Sequence, residues 1–420
     1  MKHALTALTA AALLGTASAA DLRIYSSFSE VRQPVNSSSQ QFVLTLPQDV
    51  WNNLIPGTLD LDGLSFTSAV QSQQGNWLKS LEGQQVTLRE DGRETLVTLV
   101  RSGDLLIKDA SGKYRTVAYS QLSFSAPPPK NPQSASQSVT YALTQAGSGT
   151  LSYLTRGITW SPRYTLKASG SSAALSALAD IRNSTAQDYD VSATELFAGD
   201  VDIQGSGPQT FARMDAVMAA PAPAASMGKL ATLGTVNGLY RYGLSNAYTL
   251  PASSTITLPF LTPKLTSFER YAGLDTYFSV QGSQGTLNRS YRLKADQNLP
   301  GGQLTVREDG RISGQTSLQE TAKGEQVEFT LGRDPDVRYV RSVQTVSTTK
   351  NGGTYKITYS FESSKERAVR AEVNERVGGR KVTLDGATSS NEGAASLRVD
   401  IPAKGEASRT FTVTIDNTGN

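Results

Sequence analysis

The chain has 420 residues, with 40 basic and 37 acidic side chains (formal charge +3), one histidine and no cysteine. The histidine is His3, inside a leader pattern at 1–19, so the mature chain is expected to have no imidazole and no thiol, which excludes Ser-His-Asp catalysis, Cys nucleophiles, ordinary zinc sites, blue copper and a disulfide framework. The near-neutral balance argues against a nucleic-acid or polybasic membrane partner, which leaves carboxylate, hydroxyl, Lys and Tyr chemistry and oxygen-ligated cations such as calcium.

Residues 1–19 pair a short basic start, Lys2 and His3, with the apolar run Ala4 to Leu14 and an Ala17-Ser18-Ala19 exit. That three-part pattern predicts a secretory signal peptide, and the apolar run falls short of the ~20 residues a bilayer span needs. The chain is expected to be exported, to the periplasm, the outer envelope or the extracellular space. Its removal leaves 39 basic against 37 acidic residues. No other apolar run approaches spanning length, so no transmembrane segment is expected.

Residues 20–125 alternate apolar and polar positions in short runs cut by Gly, Asp and Asn. Phe42, Leu44 and Leu46 form one such run; Val86, Leu88 and Leu96 continue the pattern. Runs of this kind read as all-β. The pentapeptide REDGR occurs at 89–93 and again at 307–311. Asp-Gly between alternating β-formers signals a type I′ hairpin, because both central residues take positive φ. With Asp91-Gly92 at the tip, Glu90 faces Arg93 and Arg89 faces Glu94; in the second copy Glu308 faces Arg311. The recurrence predicts one folding device used twice.

The Pro-, Ser- and Gln-rich stretch 126–138 reads as a linker. Beyond it, Tyr153, Arg156, Trp160, Arg163 and Tyr164 interleave aromatic and basic residues. Trp160 and Tyr164 are either an aromatic platform for a partner or core anchors of adjoining strands. The stretch 180–202 carries Asp180, Asp188, Asp190, Glu195, Asp200 and Asp202 against Arg182 alone. The pairs Asp188/Asp190 and Asp200/Asp202 each put two carboxylates on one strand face, a pattern able to offer oxygens to calcium. Glu195 and Asp200 are the carboxylates a glycan hydrolase would use. Asn183-Ser184-Thr185 satisfies N-x-T and reads as a turn at a strand end. Residues 204–238 are rich in Ala, Pro and Gly and read as a long mobile insertion. They hold Met214, Met218 and Met227, which suit an adaptable apolar docking patch or, as thioethers, Cu(I). A boundary is expected near 332–341, and TYKITYSF, SLRVDI and RTFTVTI then alternate to the end.

Five phrases carry a resemblance. They are LSYLTRGITWSPRYTL (151–166), IRNSTAQDYDVSATELFAGDV (181–201), YRYGLSNAYTLPASSTITLPFL (240–261), LPGGQLTVREDG (299–310) and GEQVEFTLGRDPDVRYVR (324–341). In this order they resemble the bacterial family known as domain of unknown function 4139. Its G-x-x-W-x-P-x-Y strand pair, N-x-[ST] strand and A-G-D turn are present. The resemblance covers roughly 140–420. It is distantly shared with proteins similar to mucoidy inhibitors, whose coiled-coil insertions this chain lacks. It implies a β-rich exported or envelope protein, and no catalytic residue comes with it. Residues 79–125 look like the small β-barrel that often precedes the family domain.

The expected fold is all-β, a multi-unit antiparallel sandwich and barrel architecture. An N-terminal β domain spans 20–125, a central family domain 139–335 and an immunoglobulin-like sandwich 336–420. The expected function is that of a non-enzymatic envelope scaffold or binding protein that docks another envelope protein or a surface polymer. A calcium-dependent adhesion module and a carboxylate-based envelope glycan hydrolase are the alternatives. No cofactor is expected apart from calcium in the second reading.

Overall fold

The computed structural model describes residues 19–74, 77–128, 136–170, 172–201, 203, 231–236, 238–244, 246–389 and 394–418. Residues 1–18, the leader pattern, lie outside these, as do 204–230 with Met214, Met218 and Met227. The chain is all-β, with one short helix, Gln48–Asn53. Among the described residues no helix is long and apolar enough to cross a membrane.

The chain divides into two compact units, one of residues 1–161 and 179–260, the other of 162–178 and 261–420. Strands Ile158–Ser169 and Ser172–Asn183 contribute residues to both. In the first unit, Ala20–Ile24 lies between Ser29–Ser37 and Tyr189–Ala198 in an eight-stranded sheet, and pairs parallel with the latter. Ala20, Leu22 and Ile24 are buried and Asp21 and Arg23 exposed, the alternation a half-buried strand requires. A second, three-stranded sheet has Ser136–Leu143 at its centre, between Gln41–Pro47 and Phe66–Gln74.

The 85–123 region forms its own five-stranded meander around Leu78, Val86, Leu88, Val97, Leu99 and Ile107. Its first turn has the expected register, with Glu90 opposite Arg93 and Arg89 opposite Glu94. Asp91 and Gly92 have φ of 49° and 74°, as a type I′ turn demands. The second copy repeats this, with φ of 46° at Asp309 and 82° at Gly310 and Glu308 opposite Arg311. The ion pairs differ from the register. Arg89 meets Glu94 at 2.7 Å, whereas Glu90 turns to Arg115 and Glu308 to Arg270.

In the second unit a nine-stranded sheet runs Lys381–Asp385, Glu406–Asp416, Gly352–Ser363, Gln326–Thr349, Ser283–Ala295, Leu265–Tyr277, Val369–Arg376, Ala394–Ile401, Thr388–Ser389. It curls so that Ala395, Leu397 and Ile401 from one end share a core with Ile357, Phe361, Phe411 and Val413. Burying each of these large side chains stabilises the fold by roughly 1.5–3 kcal/mol.

Compositional boundaries do not coincide with these units. The 24-residue strand Gln326–Thr349 runs straight through the boundary expected at 335/336. Its Gly332 and Pro335 sit at a register shift, not at a domain edge. The N-terminal strands of 20–62 pair with 147–155 and 189–198, beyond the expected limit at 125. The expected linker loses its last three residues, 136–138, to the strand Ser136–Leu143, and the expected insertion holds the strand Ala231–Val236, paired with Leu239–Leu244. Local Ser, Gln and Gly content marks weak propensity; long-range pairing on both sides overrides it.

Candidate functional site

The residues of the G-x-x-W-x-P-x-Y motif serve the fold. Trp160 is buried, donates its indole N–H to the Phe197 carbonyl at 2.9 Å and meets Phe260 edge-on. Tyr164 is fully buried and donates to the Pro300 carbonyl at 2.8 Å. Gly302 lies so close to Pro162 that a Cβ would stand 2.3 Å from the Pro162 carbonyl oxygen, so only glycine lets Gly302–Glu308 pair in parallel there. Trp160 and Tyr164 are therefore core anchors, and the expectation that they contact a partner is corrected: neither ring reaches solvent. Tyr153 and Tyr242 are buried as well.

Asn183 is buried and closes a turn. Its amide donates to the carbonyls of Gln187 and Pro251, and its Oδ1 accepts from the Thr185 N–H and hydroxyl. Four of the six acids of 180–202 are engaged separately. Asp188 accepts from the Ala252 N–H at 2.8 Å, Asp190 from the Thr249 hydroxyl at 2.9 Å, and Asp180 from the Thr257 hydroxyl at 2.6 Å. Glu195 lies 3.3 Å from Arg241 and 3.5 Å from Arg23. Asp190 stands at the start of the strand Tyr189–Ala198 and Asp200 beyond its end, so the strand, about 30 Å long at the rise of an extended chain, separates them. Among the described residues no three acids gather as a metal-sized group; Asp202 lies outside the described residues.

A different cluster draws charge together in the second unit. Arg270 stands opposite Tyr291 in the pairing of Leu265–Tyr277 with Ser283–Ala295, and Arg289 lies two residues before Tyr291. Residues opposite one another, or two apart, share a sheet face. Arg270, Arg289 and Tyr291 therefore crowd one face beside Phe329 and Leu331. Glu308, Asp334, Lys365 and Arg367 close a cavity of about 20 Å³ over them, room for little more than a water. A groove of about 460 Å³ shares Arg270 and Arg367 with this cavity.

The charges do not balance. Arg270 pairs with Glu308 at 3.1 Å and Lys365 with Asp334 at 2.9 Å. Among the described residues Arg289 has no carboxylate within ion-pair distance, and its buried Nε has no hydrogen-bond partner. Arg367 donates to the Ala368 carbonyl at 3.3 Å and, among the described residues, feels the charges of Glu308 and Asp334 without forming an ion pair. Burial, and then the charge of Arg270, push the Arg367 guanidinium below its ordinary pKa. Elsewhere in this unit buried arginines are compensated. Arg341 grips Glu375 through Nε at 3.0 Å and donates to the carbonyls of Gln281 and Ser279. Arg292 is held by Glu269, Glu328 and Glu372, each at 3.1 Å. The cavity thus gathers four cations, Arg270, Arg289, Lys365 and Arg367, against two carboxylates, Glu308 and Asp334; half-buried positive charge in such excess costs free energy, and an anion with several oxygens would relieve it through charge-assisted hydrogen bonds. Burial, with Glu308 next, raises the Tyr291 phenol to about 12, so at neutral pH it stands in the cluster uncharged.

Sequence reading passed over this cluster because its members are spread from 270 to 367. The sole local signal is Arg289, placed on the inward face of a strand two positions from a large aromatic residue. No family model, no curated protein and no solved structure matches the chain.

Proposed function

We propose that the chain is an exported, non-enzymatic binding protein of the cell envelope whose second unit holds an anionic group of a surface polymer, a phosphate or a carboxylate. The observation that carries this reading is the pair Arg289 and Arg367, which among the described residues form no ion pair, in a cluster whose other cations each hold a carboxylate. The groove beside them has the volume of a small-ligand site, which suits one repeat unit of a glycan. The leader pattern at 1–19 and the resemblance to the domain of unknown function 4139 family support an envelope setting. Calcium-dependent adhesion and glycan hydrolysis have no comparable geometry among the described residues, since Glu195 is tied to two arginines.

Calorimetric titration of the mature protein with polymer purified from its own envelope tests the proposal, with inorganic phosphate as the small probe. Binding is expected, and the double variant Arg289→Met/Arg367→Met should weaken it at least about tenfold, the scale of one lost charge-assisted contact. The variant's melting temperature should not fall, because the cluster's excess of positive charge has gone. Polymer binding that survives the double change would overturn the reading.

A further inference from the structure

Edge strands expose unpaired N–H and C=O groups, and proteins blunt them with charge, proline, bulges or brevity. Most sheet edges among the described residues obey, and the uncharged edge Ala231–Val236 is broken by a register shift between Thr232 and Gly234. Gln41–Pro47 ends in a proline and has the helix Gln48–Asn53 against it. Ser254–Leu261 contains Pro259, Arg311–Leu318 carries Arg311 and a register shift between Ile312 and Gly314, and Lys381–Asp385 is charged at both ends. Asp60–Asp62, Tyr114–Thr116, Leu122–Ser123 and Thr388–Ser389 have at most three residues.

Phe66–Gln74, FTSAVQSQQ, departs from this. It is a nine-residue edge of the three-stranded sheet with no charged residue and no proline. Its one irregularity, opposite Ala142/Leu143, lies at its start, so Ser68–Gln74 pairs without interruption on its inner side. Residues 66–73 are all exposed, Val70 at 59% and Phe66 at 44%.

From this edge we infer that the chain forms a two-fold dimer in which Ser68–Gln74 pairs antiparallel with the same strand of a second copy. The occupant follows from the sequence of the strand. An isologous contact must be self-complementary, and in antiparallel self-pairing each residue meets its mirror about the axis. With the axis at Gln71, Gln71 stands opposite its own copy, Val70 opposite Ser72, and Ala69 opposite Gln73. No like charges meet, which would destabilise a pair. The two Val70 side chains become diagonal neighbours on one face and cover apolar surface that each chain alone leaves to water. Residues that face outward on one copy face outward on the other at this axis, so the hydrogen-bonding edges are in phase. This inference rests on the first unit and is independent of the anion site.

The test is sedimentation velocity of the mature chain across a concentration series, with charge-swap variants. The wild type should pass from one to two copies as concentration rises. Gln71→Lys and Gln71→Glu each place like charges across the axis and should each remain monomeric, with unchanged circular dichroism because Gln71 is exposed. An equimolar mixture of the two should regain the dimer. Amide exchange at 68–74 should slow with concentration in the wild type only. A wild type that stays monomeric at high micromolar concentration, a dimer indifferent to Gln71→Lys, or a mixture that fails to recover would each overturn the inference.

Discussion

Arg341 and Arg367 are the same side chain in two electrical settings. Arg341 is 3% exposed and bound to a Glu375 that is fully buried, while the Tyr359 hydroxyl donates to the same carboxylate at 2.6 Å. Removing one partner of such a pair strands the other, so Glu375→Ala should cost about 3–5 kcal/mol, read by chemical denaturation. Tyr291 gives a pH dependence of defined sign. The folded protein holds the phenolic proton more tightly than the unfolded chain, with a pKa of about 12 against the ordinary 10. Its contribution is complete below about pH 10 and is lost as pH rises towards 12. Tyr291→Phe should therefore flatten the alkaline fall in denaturation midpoint over that window, and an unaltered profile would remove Tyr291 as its source.

The two REDGR turns are one element in two contexts. At both, a Cβ added to the glycine meets nothing within 4 Å, so Gly92→Ala and Gly310→Ala should each cost about 1 kcal/mol from positive φ alone. The aspartates are unequal. Asp309 accepts from the Ser169 hydroxyl at 2.9 Å and its N–H donates to the Ala168 carbonyl at 3.0 Å. Asp309→Ala should accordingly destabilise more than Asp91→Ala when the two are compared by thermal melting. The turn chemistry was legible because Asp-Gly dictates its own dihedrals. The destinations of Glu90 and Glu308 were not, since Arg115 and Arg270 arrive from other strands.

At the scale of the whole molecule, a balance of 39 basic to 37 acidic residues beyond position 19 supplies almost no long-range field. Any preference for anions must come from where charges are placed, and placement is tertiary. The sequence by itself determined the all-β class, the hairpin tips and the absence of thiol chemistry, because alternation, Asp-Gly turns and composition act locally. Tertiary structure decided the rest. The described acids of 180–202 share a segment but are dispersed, Asp180 on Ser172–Asn183, Asp190 and Glu195 on Tyr189–Ala198 and Asp200 past its end, whereas Arg270, Arg289 and Arg367, distant in the chain, converge. Trp160 and Tyr164 look alike in sequence whether they face a ligand or a core; burial against Phe260 and a hydrogen bond to Pro300 settle that. Spacing along the chain sets which face a side chain takes, and only long-range strand pairing sets what it meets there.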